Sequence, residues 1–209
     1  MVKRWLDRYL SKKKLLATSA ASQRYIVIDL ELTGLDVKQH EIVSVAWVLI
    51  EQQCIKLSQA AHYINKDVQQ LEQSPVFHGI AQKDIITGQS LDIILTKLSD
   101  YFDDAILVFH NASLDWGFLK HAFKAQGMVA KPRLILDTFL IEKKRLHQQG
   151  QEIGLDDLTL AACRARYQLP DYHNHHALTD ATATAELLLA QCYQIGQGKD
   201  LKLVDLVYL

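Results

Sequence analysis

The sequence predicts an α/β fold in which a mixed sheet is covered by helices. Strand-like segments follow residue 24, short apolar strands then alternate with helical stretches, and no linker divides the 209 residues. A β-meander followed by alternating strands and helices is typical of a mixed sheet between helical layers. A chain of this length buries about 70% of its unfolded surface, so we expect one main domain.

Composition excludes several classes of protein. The chain is 49% hydrophobic and 22% charged, as in ordinary globular proteins. Cys54, Cys163 and Cys192 form no C-x-x-C pair, which argues against a disulfide framework or thiolate zinc site and favours a reducing compartment. The net charge of -1 gives no global attraction to nucleic acid. Without an apolar run of roughly 20 residues or a secretory signal pattern, we expect no membrane span and a cytoplasmic protein.

Residues 1–24 form a basic amphipathic segment that we expect to be helical. This stretch has seven basic residues, one acid and a net charge of +6. Trp5, Leu6 and Tyr9 follow helical spacing. The simplest interpretation is a helix docked on the protein's own core, and a phosphate-tracking arm or an interfacial helix is the alternative. The main domain then covers 25–196, and 197–209 is a tail whose apolar residues offer a second docking segment.

Three strands are predicted at the start of the main domain. Tyr25 to Leu30 is rich in Ile and Val, and Glu41 to Glu51 concentrates Val, Ile and Trp. Cys54 to Ile64 alternates apolar and polar residues, as a half-exposed strand does. The short Glu51-Gln52-Gln53 connection predicts an antiparallel hairpin.

Helices alternate with short strands in the rest of the chain. Ser90 to Phe102 has apolar residues at helical spacing, with Ser90 as the predicted N-cap. Ile106 to Phe109 is predicted as a buried strand and Leu134 to Leu136 as a short strand. Further helices are predicted over Leu114 to Gln126, Thr138 to Gln149, Leu155 to Tyr167 and Ala177 to Ile195.

Two carboxylates lie at the end of the first predicted strand. Asp29 and Glu31 are two residues apart, so strand periodicity points them to one face. Neighbouring carboxylates repel, and a divalent cation keeps both charged. The Leu32-Thr33-Gly34-Leu35 turn follows at a strand end, where α/β sheets bind ligands. The alternative is a solvated pair, because a D-x-E pattern alone is a weak signal.

Two further polar clusters stand where elements begin. The segment His110 to Asp115 starts where a predicted strand stops. Its acid, Asp115, lies in the first turn of a predicted helix, where a negative charge is favourable to the helix dipole without any further role. His175 to Asp180 enters the last predicted helix, so the imidazole and the carboxylate can face the same cleft. We expect the three clusters to meet on one side of the sheet.

Five segments together form a specific set. They are Asp29-Leu30-Glu31 with Thr33-Gly34-Leu35, Val76 to Ile80, His110-Asn111-Ala112 with Leu114-Asp115, Leu136-Asp137-Thr138, and His175 with Ala177 and Asp180. This set resembles the DEDDh branch of the 3′–5′ exonucleases, the family of the proofreading epsilon subunit of bacterial DNA polymerase III, RNase T and oligoribonuclease. The resemblance covers Tyr25 to about Tyr193 and implies an RNase H-like fold with a five-stranded sheet, with 25–196 as the exonuclease domain.

The resemblance also implies two-metal hydrolysis. Carried over residue by residue, two Mg²⁺ or Mn²⁺ ions would be held by Asp29, Glu31, Asp115 and Asp180, and His175 would be the general base. Carboxylate oxygens suit these ions, and two ions roughly 3.5–4 Å apart stabilise the attacking and leaving oxygens together. An imidazole, with an ordinary pKa of about 6.5, accepts a proton from water near neutral pH.

The choice of base depends on a cluster of histidines. A zinc site at His173, His175 and His176 is the alternative, but three histidines within four loop residues do not readily converge on one tetrahedral ion. Only His175 fits the family spacing to Ala177 and Asp180. His176 is then a surface or packing residue, and His78 and His110 are structural residues or neighbours of the substrate.

Substrate contacts follow from the same resemblance. Glu31 with the backbone of Leu32 and Thr33 would meet the terminal 3′-hydroxyl, and Leu35 would lie beside the last base. Asn111 would approach the substrate or brace the metal site, and a turn or helix-capping role is its alternative. Leu32 stands where the family commonly has Thr, which removes a hydroxyl near the terminal nucleotide.

The expected function is a metal-dependent 3′–5′ exonuclease acting on single-stranded or frayed DNA ends. The alternatives are an exoribonuclease that trims short RNA or tRNA ends, and a DNA polymerase-associated binding subunit with secondary nuclease activity. The sequence does not locate the 2′-hydroxyl contact that separates RNA from DNA.

Asp137 and Thr138 are expected to cap a helix. Helix lysines and an arginine could line a phosphate path or simply be exposed: Lys120, Lys124, Lys143, Lys144 and Arg145.

Overall fold

A mixed sheet forms the centre of the fold in the computed structural model, which describes residues 10–71, 79–154, 156–172 and 176–207. Its five strands lie in the order β3-β2-β1-β4-β5. β1 pairs antiparallel with β2 and parallel with β4, while β2–β3 is antiparallel and β4–β5 parallel. The strands are β1 (Tyr25–Leu32), β2 (Ile42–Glu51), β3 (Cys54–Ile64), β4 (Ile106–Phe109) and β5 (Ile135–Asp137). The predicted sheet and hairpin are confirmed.

Helices lie on both faces of the sheet. Within the described ranges they are α1 (10–16), α2 (Gln82–Ile86), α3 (Leu91–Ser99), α4 (Ala112–Ala125), α5 (Thr138–Gln148), α6 (Leu160–Arg166), α7 (Ala177–Gly196) and α8 (Leu203–Leu206), with a 3₁₀ turn at Ala20–Ser22. No described helix is long and apolar enough to cross a membrane.

Two predicted helices are too long. α3 ends at Ser99 rather than Phe102, because the acid-rich turns that follow are unfavourable at the negative end of a helix dipole. α6 begins at Leu160 rather than Leu155, because the Thr159 hydroxyl accepts the Ala162 N–H and starts the helix there. Ser90 lies at the N-cap of α3 as predicted, but its side chain makes no capping hydrogen bond.

The alternation of β1 divides the core into two clusters. Ile26, Ile28 and Leu30 pack on the side of α3 and α4. Tyr25 and Val27 pack on the opposite side, with residues of α5, α7 and α8. Asp29 and Glu31 continue this second face, so the strand period points both acids towards α7.

The described ends of the chain pack near the beginning of β1. Leu15 and Leu16 of α1 pack against the cluster around Tyr25, whereas Leu10 is exposed and docking of the predicted stripe stays a prediction. Residues 1–9 lie outside the described residues. The Ala20 N–H donates to the Leu201 carbonyl, and residues of α8 are buried in the same cluster. The described part of the tail is therefore part of the core.

Candidate active site

Three carboxylates come together at the C-terminal end of β1. Asp29, Glu31 and Asp180 each place one oxygen within 4.8 Å of the others. The first two come from β1, and Asp180 comes from the first turn of α7. Small residues of β2, Ala46 and Ser44, lie opposite Asp29 and Glu31 in the register and leave space for α7 over the sheet.

Asp115 approaches the same site from α4. It is buried, and its carboxylate accepts the backbone N–H of Leu30. Its charge acts directly on Asp29, although it is not one of the three acids that lie within 4.8 Å of one another. The fold thus brings all four predicted acids to one place, with Asp115 adjoining the other three.

Burial and mutual repulsion disfavour full ionisation of these acids. Burial, then the charges of Asp115 and Asp180, raise the pKa of Asp29 well above its ordinary range. Burial, then Asp180, raises the pKa of Glu31 to about 7, although its carboxylate accepts the Ala177 N–H. Burial is also the main cause that raises the pKa of Asp115 to about 7. Divalent cations fit this donor set, because hard carboxylate oxygens bind them and their charge offsets the repulsion.

The predicted base, His175, lies outside the described residues, as do His173 and residues 72–78, which include His78. Its role stays a prediction. His176, the residue before α7, packs edge-on against His62 of β3, with ring centroids 4.5 Å apart and an interplanar angle of 64°. The predicted packing role of His176 is confirmed.

Asp137, at the end of β5, holds the beginning of α4. Its carboxylate accepts the N–H groups of Asn111 at 3.0 Å, Ala112 at 2.9 Å and Phe139 at 3.0 Å. The last bond confirms the predicted helix cap. The bonds to Asn111 and Ala112 join residues 26 and 25 positions apart, so no local sequence pattern predicts them. They support Asn111 in a left-handed conformation (φ 70°, ψ 58°), one turn before Asp115.

Asn111 lies at the bend that begins α4, which agrees with the turn role predicted as the alternative to a substrate contact. Asn111 occupies the N-cap position of α4, but its side chain makes no capping hydrogen bond. Instead, its amide oxygen accepts the Ser113 hydroxyl at 2.8 Å. The Leu114 N–H donates to the Asn111 backbone carbonyl at 3.0 Å. A substrate role for Asn111 stays a prediction.

The turn after β1 presents Leu35 to solvent. Thr33 closes the turn, since its N–H donates to the Glu41 carbonyl at 3.0 Å and its hydroxyl accepts the Glu41 N–H at 2.9 Å. Leu35 is 75% exposed at the tip. The Leu32 side chain packs against the core on the α3–α4 side. Leu32 is also the last residue of β1, so its backbone leads into the turn.

Several other polar residues make internal contacts. His110 binds the Thr138 hydroxyl through Nδ1 and donates from Nε2 to the Leu158 carbonyl, both at 2.9 Å, which confirms its structural role. Lys144 donates to carbonyls of the tail at 3.2 Å, and Arg145 pairs with buried Glu142 at 2.6 Å. These two basic residues therefore support the fold rather than a phosphate path. Lys120, Lys124 and Lys143 are exposed.

Comparison with known proteins places the chain in a family. Residues 26–188 match the family model RNase_T, described as exonuclease. This chain belongs to the DEDDh 3′–5′ exonucleases. The predicted family is confirmed.

Several similar curated proteins are DNA polymerases. DNA polymerase III PolC-type of Lactococcus lactis is 27% identical over 164 residues, which is 78% of this chain and 10% of that protein. The PolC-type polymerase of Streptococcus sanguinis is 28% identical over 189 residues, which is 88% of this chain and 12% of that protein. The chain thus spans about a tenth of the length of these relatives.

Solved structures confirm the RNase H-like fold. The nuclease domain of 3′hExo, a DEDDh family member bound to rAMP, has a TM-score of 0.68 and 14% identity, and the match covers 88% of this chain and 98% of that one. Exonuclease X in complex with 5′ overhanging duplex DNA has a TM-score of 0.62 and 20% identity, with 87% and 98% covered.

Proposed function

We propose that this chain is a metal-dependent 3′–5′ exonuclease that hydrolyses the terminal phosphodiester of DNA and releases nucleoside 5′-monophosphates. The observation that carries the proposal is the approach of Asp29, Glu31 and Asp180 to within 4.8 Å of one another at the end of β1. Asp115 adjoins them from α4. Membership in the exonuclease family supports the same chemistry.

The four acids would hold two Mg²⁺ or Mn²⁺ ions. When bound, such ions supply Lewis-acid stabilisation of the phosphate and a water molecule of lowered pKa. The protein contributes a rigid set of carboxylates from three elements, β1, α4 and α7. Because the fold fixes these positions, little reorganisation is needed during the reaction.

The remaining roles belong to residues around the acids. His175 accepts a proton from a water molecule whose oxygen forms the new bond to phosphorus. The 3′-oxygen of the preceding nucleotide leaves with the electron pair of the broken P–O bond and takes a proton from solvent. Because water attacks phosphorus directly, no covalent enzyme intermediate forms. Glu31, with the backbone of Leu32 and Thr33, binds the terminal 3′-hydroxyl. The exposed Leu35 side chain packs beside the last base.

DNA is the proposed substrate, as single-stranded or frayed 3′ ends. The similarity to PolC-type DNA polymerases over 78% and 88% of this chain supports DNA. It also supports a DNA polymerase as partner. Mixing the purified chain with a purified replicative polymerase and testing for co-elution checks the proposed partner. If the nuclease is fully active but does not associate with the polymerase, the proposed partnership is overturned.

The nuclease proposal is tested by a time course on 5′-labelled single-stranded DNA and RNA of matched sequence, with Mg²⁺, Mn²⁺ or EDTA. We expect a ladder that shortens from the 3′ end, runs faster on DNA, disappears in EDTA and is strongly reduced in His175→Ala. A faster RNA ladder would reassign the substrate to RNA. No ladder on either strand, where a known exonuclease works, would overturn the proposal.

A further inference from the structure

The loop between β1 and β2 is closed at its base and tied to the rest of the protein. Two hydrogen bonds join Thr33 to the backbone of Glu41. The Glu41 carboxylate also accepts the Gln69 N–H at 3.0 Å, which links the loop to the segment after β3. We name residues 33–41 the leucine loop, because its tip carries the exposed Leu35.

Asp36 organises the part of the leucine loop that follows its tip. The Asp36 carboxylate accepts the Lys38 N–H at 2.9 Å and the Gln39 side-chain amide at 2.8 Å. Its backbone carbonyl accepts the N–H groups of Gln39 at 3.0 Å and of His40 at 2.9 Å. An aspartate that binds the backbone two residues further on is typical of a tight turn. These four bonds therefore fold the chain back on itself directly after Leu35.

His40 contacts both neighbours of Leu35. The Asp36 N–H donates to His40 Nδ1 at 3.1 Å. On the other side of Leu35, the imidazole lies so close to the Gly34 backbone that a methyl group at Gly34 would overlap the ring. Gly34 and Asp36 directly precede and follow Leu35. One half-buried ring thus restrains the backbone on both sides of the exposed leucine.

The leucine loop also packs on an element that carries one of the acids. Val37 packs against the core on the α3–α4 side, and its side chain lies over Gly117 of α4. Gly117 is two residues after Asp115, and the loop begins two residues after Glu31. The loop therefore bridges β1 and α4 beside the candidate site. An exposed leucine is ordinary by itself, but Leu35 lies on a backbone that is fixed relative to the acids.

We propose that Asp36 and His40 are positioning residues that hold Leu35 in place for the base of the 3′-terminal nucleotide. The inference rests on the proposed function, in which Leu35 packs beside that base. Both residues act through the backbone of the leucine loop and need no contact with the substrate. A side chain on an ordered loop loses less conformational entropy on binding than one on a mobile loop. Fixing the terminal base also positions the neighbouring phosphodiester relative to the acids.

The test compares two 5′-labelled single DNA strands that differ only at the 3′-terminal nucleotide, which carries a base or is a stable abasic analogue. For removal of this nucleotide by the wild type, we expect kcat/KM to be about tenfold higher when the base is present. Leu35→Ala, Asp36→Ala and His40→Ala should each lower kcat/KM about tenfold on the strand with the base and less than about twofold on the abasic strand.

Two further variants separate positioning of Leu35 from other roles. His40→Ala combined with Leu35→Ala should lower kcat/KM no further than Leu35→Ala alone, because both changes remove the same contact. Lys38→Arg, at an exposed position of the same loop, keeps the charge and is the matched control. It should leave kcat/KM unchanged on both strands.

Hydrogen exchange of the Lys38 amide measures the order of the loop without DNA. Its N–H is bonded to the Asp36 carboxylate, so it should exchange at least about tenfold more slowly in the wild type than in an unstructured chain. Asp36→Ala should remove this protection while circular dichroism stays that of the wild type. Unprotected exchange in the wild type would overturn the positioning proposal whether or not the protein cleaves DNA.

The cleavage results can also overturn the proposal. An equal loss of kcat/KM on both strands in Asp36→Ala or His40→Ala, or a further fall in the double variant, would show that these residues do not act through Leu35. An active wild type that cleaves both strands equally would remove the base contact itself. A wild type that produces no ladder on any strand would instead overturn the proposed nuclease.

Discussion

The buried carboxylate of Asp29 lowers the stability of the metal-free fold but suits the binding of a divalent cation. Its burial and the charges of Asp115 and Asp180 raise its pKa, so the ionised form is disfavoured in the folded chain. A bound divalent cation reverses that balance, because it stabilises the ionised form and needs buried, converging oxygens. The positions of these acids therefore favour cation binding and lower the stability of the metal-free protein.

Loss of one acid should remove turnover without loss of the fold. We expect Asp180→Ala to lower kcat by about a thousandfold or more, because roughly 4 kcal/mol of transition-state stabilisation would go with the cation. Circular dichroism should stay that of the wild type, since the substitution relieves repulsion. Asp92→Asn, on an exposed acid of α3, is the control. Unchanged turnover in Asp180→Ala would remove this residue from the site.

The pH dependence of metal-free stability should change in Asp115→Asn. The pKa of Asp115 is about 7 in the fold and about 3.9 in an unfolded chain. The folded state therefore holds this proton more tightly, and ionisation lowers stability progressively as pH rises from about 4 to about 7. In EDTA, Asp115→Asn should raise the melting temperature by a few degrees at pH 8 and by less at pH 5. Equal differences at both pH values would contradict this assignment.

At the scale of elements, two ends of secondary structure meet on Asp137. Its carboxylate binds N–H groups of both α4 and α5, so one side chain from β5 fixes two helix beginnings. The position of Asp115 in α4 depends on this junction. Stability and site geometry are therefore coupled at the C-terminal end of the parallel strands.

Removal of this junction should cost more stability than removal of an ordinary cap. Asp137→Ala deletes the acceptor of three N–H groups, and we expect a loss of about 3 kcal/mol. Thr159→Ala deletes one cap bond at 3.3 Å and should cost about 1 kcal/mol. Urea unfolding of both variants measures the difference. Equal losses would show that the bonds to Asn111 and Ala112 add no net stability.

Local patterns predicted the elements better than the contacts between them. β3 and β4 have their predicted bounds, because β-branched runs and strand alternation are local signals. Each acid of the site is a weak signal by itself, and the four were predicted together through the resemblance to the DEDDh exonucleases. The bonds from Asp137 to Asn111 and from Arg164 to Glu186 join residues 26 and 22 positions apart, so they depend on tertiary packing. Spacing along the chain carries no signal for them.

In the whole molecule, the candidate site and the packed ends of the chain lie at opposite ends of β1. The acids lie at its C-terminal end, whereas the described ends of the chain pack around Tyr25 at its beginning. At roughly 3.3 Å per residue, the six steps from Tyr25 to Glu31 span about 20 Å. Changes at one end should therefore leave the other end intact.

Leu203→Ala tests that separation. Leu203 is fully buried in the cluster around Tyr25, and its truncation should cost about 3 kcal/mol of unfolding free energy. Below the melting temperature, kcat should stay within about twofold of the wild type. Denaturant unfolding and a nuclease assay on the same sample measure both quantities. A large fall in kcat of the folded variant would show that the two ends are coupled.

The proposed nuclease depends on a divalent-cation site formed by the acids at the end of β1. Calorimetric titration of Mn²⁺ into the wild type and into Asp29→Asn measures this binding, with folding of each protein checked by circular dichroism. We expect saturable binding of two ions per chain in the wild type and loss of that binding in the variant. No Mn²⁺ binding by the folded wild type, or equal binding by both proteins, would contradict the proposed site.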